Sequence, residues 1–234
     1  MPKELMIIGA SGHGKVVADI ARQITENGHK RYTRIQFLDD DKTKAICGVY
    51  PVIGTIENIE QYLDMEFFIA IGDAKIREIV AGRLESFRAS IPVLVHPSAI
   101  IGENVSIGQG SVVVGGAVIN ADASIGQYCI INTGATVDHD CVIGDYAHIA
   151  PGAHLCGGVH VGKSTWIGAG TTVVQEVHIS QNSMIGAGSV VVHDLKGKGV
   201  YMGCPAKNRY VSSGGTRAFH HKICHNAPLW RTAA

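Results

Sequence analysis

Residues 125–158 read IGQYCIINTGATVDHDCVIGDYAHIAPGAHLCGG, and every sixth residue of that stretch is aliphatic: Ile125, Ile131, Val137, Ile143, Ile149 and Leu155. The period runs on unbroken in both directions. It takes in Val95, Ile101, Ile107, Val113 and Ile119 before the stretch, and Val161, Ile167, Val173, Ile179, Ile185 and Val191 after it. Four residues after each of these the side chain is small, as at Ala99, Ser111, Ala117, Ala123, Cys129, Ala135, Cys141, Ala147 and Ala153. A Gly often follows the aliphatic residue, as at Gly102, Gly108, Gly126, Gly144 and Gly162. Such a hexapeptide repeat is the signature of a parallel β-helix built by stacking. Each unit gives one short strand and one turn, and three units close a triangular coil. The aliphatic and small residues fill a prism too narrow for large rings. Coils stack ~4.8 Å apart, so residues 18 apart lie one above another, and the run amounts to a little over five coils.

Composition sets the outer limits. The chain has 234 residues, 29 of them Gly, with 6% aromatic, 17% charged and a formal net charge of zero. Two domains are the expectation at this length: an α/β unit over 1–92 and the β-helix over 93–211, followed by an extension over 212–234. The extension contains Phe219-His-His-Lys-Ile-Cys224-His225, whose irregular spacing is not that of a metal site. The neutral balance gives no electrostatic case for nucleic acid or an anionic membrane as partner. No apolar stretch approaches 18 residues and the N-terminus shows no secretory leader, so a cytoplasmic location is expected. The six cysteines agree: Cys129 and Cys141 fall at small inward positions, and the others show no paired spacing.

Ahead of the repeat, KELMIIG (3–9) is an apolar run suited to a buried parallel strand, and VVADIARQI (16–24) is spaced as a helix. Between them stand Gly9, Ser11, Gly12, His13 and Gly14. A strand, a Gly-rich turn and a helix form the unit whose amides and helix N-terminus hold phosphate. The spacing is Gly-x-x-Gly-x-Gly, which departs from the dinucleotide fingerprint and argues against NAD. IQFLDDD (35–41) and FFIAIGD (67–73) read as two further strands, the second followed by a helix. This is a Rossmann-like half whose strand ends bring together the Gly9–Gly14 turn, Asp39, Asp40 and Gly72. A ligand is expected there, with His13 touching a phosphate.

On the prism, His148, His154, His160 and His178 precede inward aliphatics and so face outward, with His160 and His178 stacked. His139 has a different phase, at a turn within Val137-Asp138-His139-Asp140-Cys141, and Gly157 lies one coil on. An imidazole beside a carboxylate suits a general base. A Gly above it leaves room for a ligand and offers a backbone N–H to an oxyanion.

Four segments carry a resemblance: MIIGASGHGKVV, FLDDD with AIGD, VDHDCVIGDYAHIAPGAHLCGG, and GCPAK (203–207). Across residues 4 to about 209 the chain resembles the left-handed β-helix sugar O- and N-acetyltransferases. The likeness is strongest to the bacterial nucleotide-4-amino-sugar N-acetyltransferases of the bacillosamine type, and the sialic acid O-acetyltransferases share the architecture. The resemblance implies an α/β Rossmann-like domain followed by a left-handed β-helix. It also implies acetyl-CoA as co-substrate, a homotrimer with active sites between subunits, and a nucleotide sugar held by the first domain. It places the catalytic pair on His139 and Asp140, where the family often has Glu for the acid. The acetyl-CoA contacts fall on Gly157 and His148. No metal is implied.

Rival readings stay open. A zinc carbonic anhydrase on the same prism needs three converging His, two of them five residues apart, a spacing that no pair within the prism shows. A trimeric nucleotide-binding scaffold would bind nucleotide without CoA. A sugar-acid O-acetyltransferase would need a cation for the substrate carboxylate, for which Lys75 and Arg77 are candidates.

Overall fold

The structure, a computed structural model, describes residues 3–26 and 29–209. The extension over 212–234 therefore lies outside the described residues.

The first layer is a mostly parallel sheet flanked by helices, with one antiparallel edge strand. In chain order it comprises β1 (Lys3–Ile8), α1 (Gly12–Gln23), the short pair β2 (Thr25–Glu26) and β3 (His29–Lys30), β4 (Tyr32–Leu38), β5 (Ile46–Cys47), β6 (Tyr50–Gly54), a 3-10 helix (Ile56–Tyr62), β7 (Glu66–Ile69) and α2 (Ala74–Ser86). The sheet order is β5-β6-β4-β1-β7, with β1 parallel to both β4 and β7. β1 is central and covered on both faces, hence its continuous apolar run: Leu5, Met6, Ile7 and Ile8 have no exposed surface. α1 buries Gly14, Val17, Ala18 and Ala21, the i, i+3, i+4, i+7 stripe of an amphipathic helix. α2 buries the same stripe, but its first member is charged: Arg77, Val80, Ala81, Leu84.

From Leu94–Val95 to Val190–Val191 the chain winds a left-handed parallel β-helix of two-residue strands. Its three faces are named here by their first strands. The Leu94 face runs through 112–113, 130–131, 148–149, 166–167 and 184–185, the Ile100 face through 118–119, 136–137, 154–155, 172–173 and 190–191, and the Ser106 face through 124–125, 142–143, 160–161 and 178–179. Neighbours in each face are paired in a register of 18, as Val112 with Ile130 and Ile130 with His148. Every sixth residue from Asn104 to Gly188 is in the left-handed region, including Asp122, Tyr128, Asp140, Tyr146 and Glu176, so the turn conformation recurs at one phase of the repeat. The glycines after the aliphatic residues serve close stacking: a Cβ on Gly108 would lie 2.6 Å from the Gln127 nitrogen of the next coil.

The inward residues form one core cluster from Val113 to Val191. Inward hydroxyls are satisfied by turn carbonyls, Ser111 donating to Gly126 O at 2.8 Å and Thr165 to Ser180 O at 3.0 Å. The first coil has no coil beneath it, and there Ile101 is 37% exposed. At the far end Leu195 and Tyr201 close the prism. The α/β layer sits on the Leu94 face: outward Leu94, Val112 and Ile130 are buried in the same cluster as Val17 and Ile20 of α1.

Candidate active site

His139 lies on the turn between strands 136–137 and 142–143, at the edge shared by the Ile100 and Ser106 faces. Asp138 Oδ1 accepts from the His139 backbone N–H at 2.8 Å and is itself held by Asn120 Nδ2 at 2.7 Å. Asp140 Oδ2 lies 2.7 Å from His139 Nδ1. An ionised carboxylate only accepts, so Nδ1 carries the proton and Nε2 keeps its lone pair. The hydrogen bond to Asp140, then the charge of Asp138, raises the imidazole pKa above 6.5. The ring is exposed, at the rim of the prism.

Gly157 sits flush beneath it. A Cβ there would come within 2.5 Å of His139 Cε1 and Nε2, so only glycine accommodates the ring in this position. The Gly158 N–H is spent on His139 O at 2.9 Å. This edge can therefore take a proton on Nε2 and present backbone at the same point.

The expected cradle at the strand ends is assembled. Gly9 has a φ of +107°, and a Cβ on it would meet Ala70 O at 2.9 Å. Gly14 passes so close to Gly9 O that any side chain would overlap it, so α1 is pressed onto the turn. Gly12 faces open space, and Ser11 is the N-cap with its hydroxyl unused. The first turn of α1 carries no acid, and no side chain among the described residues caps its first N–H groups. The two acids are engaged by the protein itself. Asp39 accepts from Ala10 N at 2.6 Å, Asp41 N at 2.9 Å and Lys44 Nζ at 3.1 Å, while Asp40 accepts from Ile56 N at 3.0 Å. Their evident work is to shape the turn and cap the 3-10 helix. The Gly72 carbonyl accepts from Arg77 Nη1 at 2.9 Å.

His148 departs from a solvent-facing position. It points outward from the prism as its phase requires, but the α/β layer covers that face and leaves it 8% exposed. Its Nε2 is 3.1 Å from Asn132 Nδ2, and its ring lies 4.4 Å from that of Trp166. Since Asn132 Oδ1 is fixed by the Thr133 N–H, Nδ2 is the donor and His148 carries its proton on Nδ1. Burial first, then neighbouring His13 and Arg77, push His148 down to about 3. Burial and Arg77 push His13 down to about 4. Both are therefore neutral at pH 7 in the ligand-free chain. His13 Nε2 and His148 Nδ1 are enclosed without partners among the described residues. Within one chain, then, His139 and Gly157 converge at one edge, while His148 joins His13 under the α/β layer.

Sequence reasoning did not single out Asn120, Asp138 and Asn132 as positioning groups. The 18-residue step from Asn120 to Asp138 is the signal that would have found that pair. His160 and His178 stack as expected, at 4.4 Å and 10° between planes.

Comparison with known proteins places this geometry in context. The PglD N-terminal domain family matches residues 4–84, and the bacterial transferase hexapeptide family (six repeats) matches 122–157. Over 117 residues the chain is 36% identical to UDP-N-acetylbacillosamine N-acetyltransferase of Bacillus subtilis (strain 168); the match covers 48% of this chain and 51% of that protein, so the chain spans about half of the curated relative's length. Among solved structures it is similar to the acetyltransferase domain of PglB from Neisseria gonorrhoeae FA1090 in complex with acetyl coenzyme A. The identity is 37% and the TM-score 0.83, over 89% of this chain and 100% of that one. A similar likeness holds to a His-to-Asn mutant of perosamine N-acetyltransferase from Caulobacter crescentus in complex with CoA and GDP-perosamine. There the identity is 37% and the TM-score 0.80, over 88% and 96% of the two chains.

Proposed function

Because the chain belongs to the hexapeptide-repeat acetyltransferases that carry a PglD-type N-terminal domain, we propose that it acetylates the 4-amino group of a nucleotide-linked deoxy sugar with acetyl-CoA. The observation that carries this reading is the His139–Asp140 pair lying over Gly157 at the prism edge. Relatives of known substrate support it: one is named for UDP-N-acetylbacillosamine, and another is described with GDP-perosamine.

In this mechanism His139 Nε2 takes a proton from the sugar amine as its nitrogen bonds to the thioester carbonyl carbon. Asp140 holds the imidazole by Nδ1 and stabilises the imidazolium, the part a third group plays in a triad. The Gly157 N–H donates to the carbonyl oxygen as the C=O electron pair moves onto it. When the carbon–sulfur bond breaks, His139 returns its proton to the departing thiolate. The sugar's diphosphate lies against the N-terminus of α1 in the Gly9–Gly14 turn, beside Ser11 and His13, and Gly72, Asp39 and Asp40 line the same end. His148 keeps the part the resemblance gives it, an acetyl-CoA contact, and reaches the bound acetyl group from the seam it shares with His13. Since it is distant in the fold from the His139 edge, that site draws on two chains, in keeping with the trimer expected of this family.

The O-acetyl alternative loses its best cation: four of the five N–H donors of Arg77 go to backbone carbonyls, and the side chain is buried out of reach of a sugar carboxylate. Thiol release from acetyl-CoA, assayed with UDP-, GDP- and dTDP-4-amino sugars and with free and CMP-linked sialic acid, tests the proposal. Release with one 4-amino sugar is expected. Release with sialic acid alone would move the chain to O-acetylation, and no release from folded protein would leave the scaffold reading.

A further inference from the structure

Arg77 is the largest fully buried side chain described, 1% exposed, at the head of the buried stripe of α2. Among the described residues no carboxylate bonds it. Its Nη1 donates to Ile71 O at 2.7 Å and Gly72 O at 2.9 Å, its Nε to Tyr128 O at 2.8 Å and its Nη2 to Tyr146 O at 2.6 Å. The first two carbonyls lie just after β7, beside the glycine turn, where Gly9 packs on Ala70 and Ile71. The other two belong to turns of successive coils, 18 residues apart, whose tyrosine rings stack at 5.2 Å. One planar fork thus spans the α/β layer and the prism.

We propose that Arg77 is a positioning residue, tying the nucleotide-binding end of the α/β layer to the prism so that the held sugar reaches the acetyl-transfer edge. This rests on the nucleotide-sugar reading above. An arginine suits the task because its donors are preorganised in a plane, whereas lysine offers a point charge on a flexible stem. Burial lowers the guanidinium pKa to about 10, so it stays charged at neutral pH. A buried cation without a bonded carboxylate is costly; here the guanidinium lies near enough to the glycine turn to act electrostatically on His13. The ion pair between α2 and the prism is exposed and weak by comparison: Lys163 pairs with Glu78 at 2.6 Å, each side chain about 45% exposed. Glu85 accepts from the Tyr128 hydroxyl at 2.7 Å.

The test compares wild type, Arg77→Lys, Arg77→Gln and Glu85→Gln as full chains. Calorimetric titration with UDP-, GDP- and dTDP-4-amino sugars and, separately, with acetyl-CoA is combined with thermal melts and steady-state kinetics. Arg77→Gln removes the buried charge and keeps two donors, and Arg77→Lys keeps the charge; any variant melting early is titrated at low temperature. Both Arg77 variants are expected to bind the nucleotide sugar ~10-fold or more weakly and to raise its KM, with acetyl-CoA affinity within ~2-fold of wild type. Glu85→Gln, on the same seam but touching neither Ile71 nor Gly72, is expected to change neither. Equal losses for both ligands in step with the melting temperature, or no loss for either, would overturn the proposal, as would a wild type that binds no nucleotide sugar. A wild type that binds nucleotide sugar but releases no CoA would refute acetyl transfer while leaving the Arg77 comparison intact.

Discussion

At residue scale the edge site is set by few atoms. The Asp140 bond is the largest cause of the raised His139 pKa, with Asp138 second. The active form of a base is the neutral one, so the acid limb of kcat/KM is expected above pH 6.5. Asp140→Asn should move that limb down and lower the plateau ~10–100-fold, with Asp138→Asn giving the same sign and a smaller shift; a pH–rate profile of each checks this. Gly157→Ala separates site from scaffold. Its Cβ meets only the far end of an exposed imidazole, which can swing away. The melting temperature should change little while thiol release falls ~100-fold, and retained turnover would show that the ring's position over Gly157 is immaterial. The meeting of His139 with Gly157 was legible because the 18-residue stack places one over the other from spacing alone. His148 was legible only in direction. Its burial depends on which face the α/β layer covers, and its tautomer on Asn132, sixteen residues earlier and off the simple stack.

At the scale of elements, the repeat determined the prism almost entirely because its inward phase never slips. The outward phase held a further signal: Leu94, Val112 and Ile130 form an apolar ladder that had to be covered, and His148 is its next rung. The α/β layer was less legible. Its central strands showed as apolar runs, but β5 is a two-residue edge strand and β6 beside it carries Pro51 and Gly54, which mask the pattern. Arg77 stood on the helical stripe with Val80, Ala81 and Leu84, yet a charged residue there reads as an interruption until its carbonyl partners are known. Core depth gives a direct stability contrast. Ile143→Ala, at a site 1% exposed, should cost ~2–5 kcal/mol, whereas Ile101→Ala in the open first coil should cost about 1 kcal/mol. Denaturant unfolding of the two variants measures the difference, and equal costs would show that the first coil is covered.

At the scale of the whole molecule, one chain separates the His139 edge from the His13–His148 seam by the width of the prism. Light scattering is expected to give three copies of the 24.8 kDa chain; a monomer that turns over at full rate would contradict a site shared between subunits. Among the described residues no helix is long and apolar enough to cross a membrane. The charge balance and the Gly-rich turn indicated the class of ligand, but not which nucleotide, since base recognition depends on loop contacts that no motif encodes. The most direct measurement is thiol release by wild type and His139→Ala with the 4-amino sugar that the wild type accepts, alongside acetyl-CoA affinity. The account expects turnover to fall ~10²–10⁴-fold with acetyl-CoA affinity unchanged; near-normal turnover by His139→Ala would contradict it.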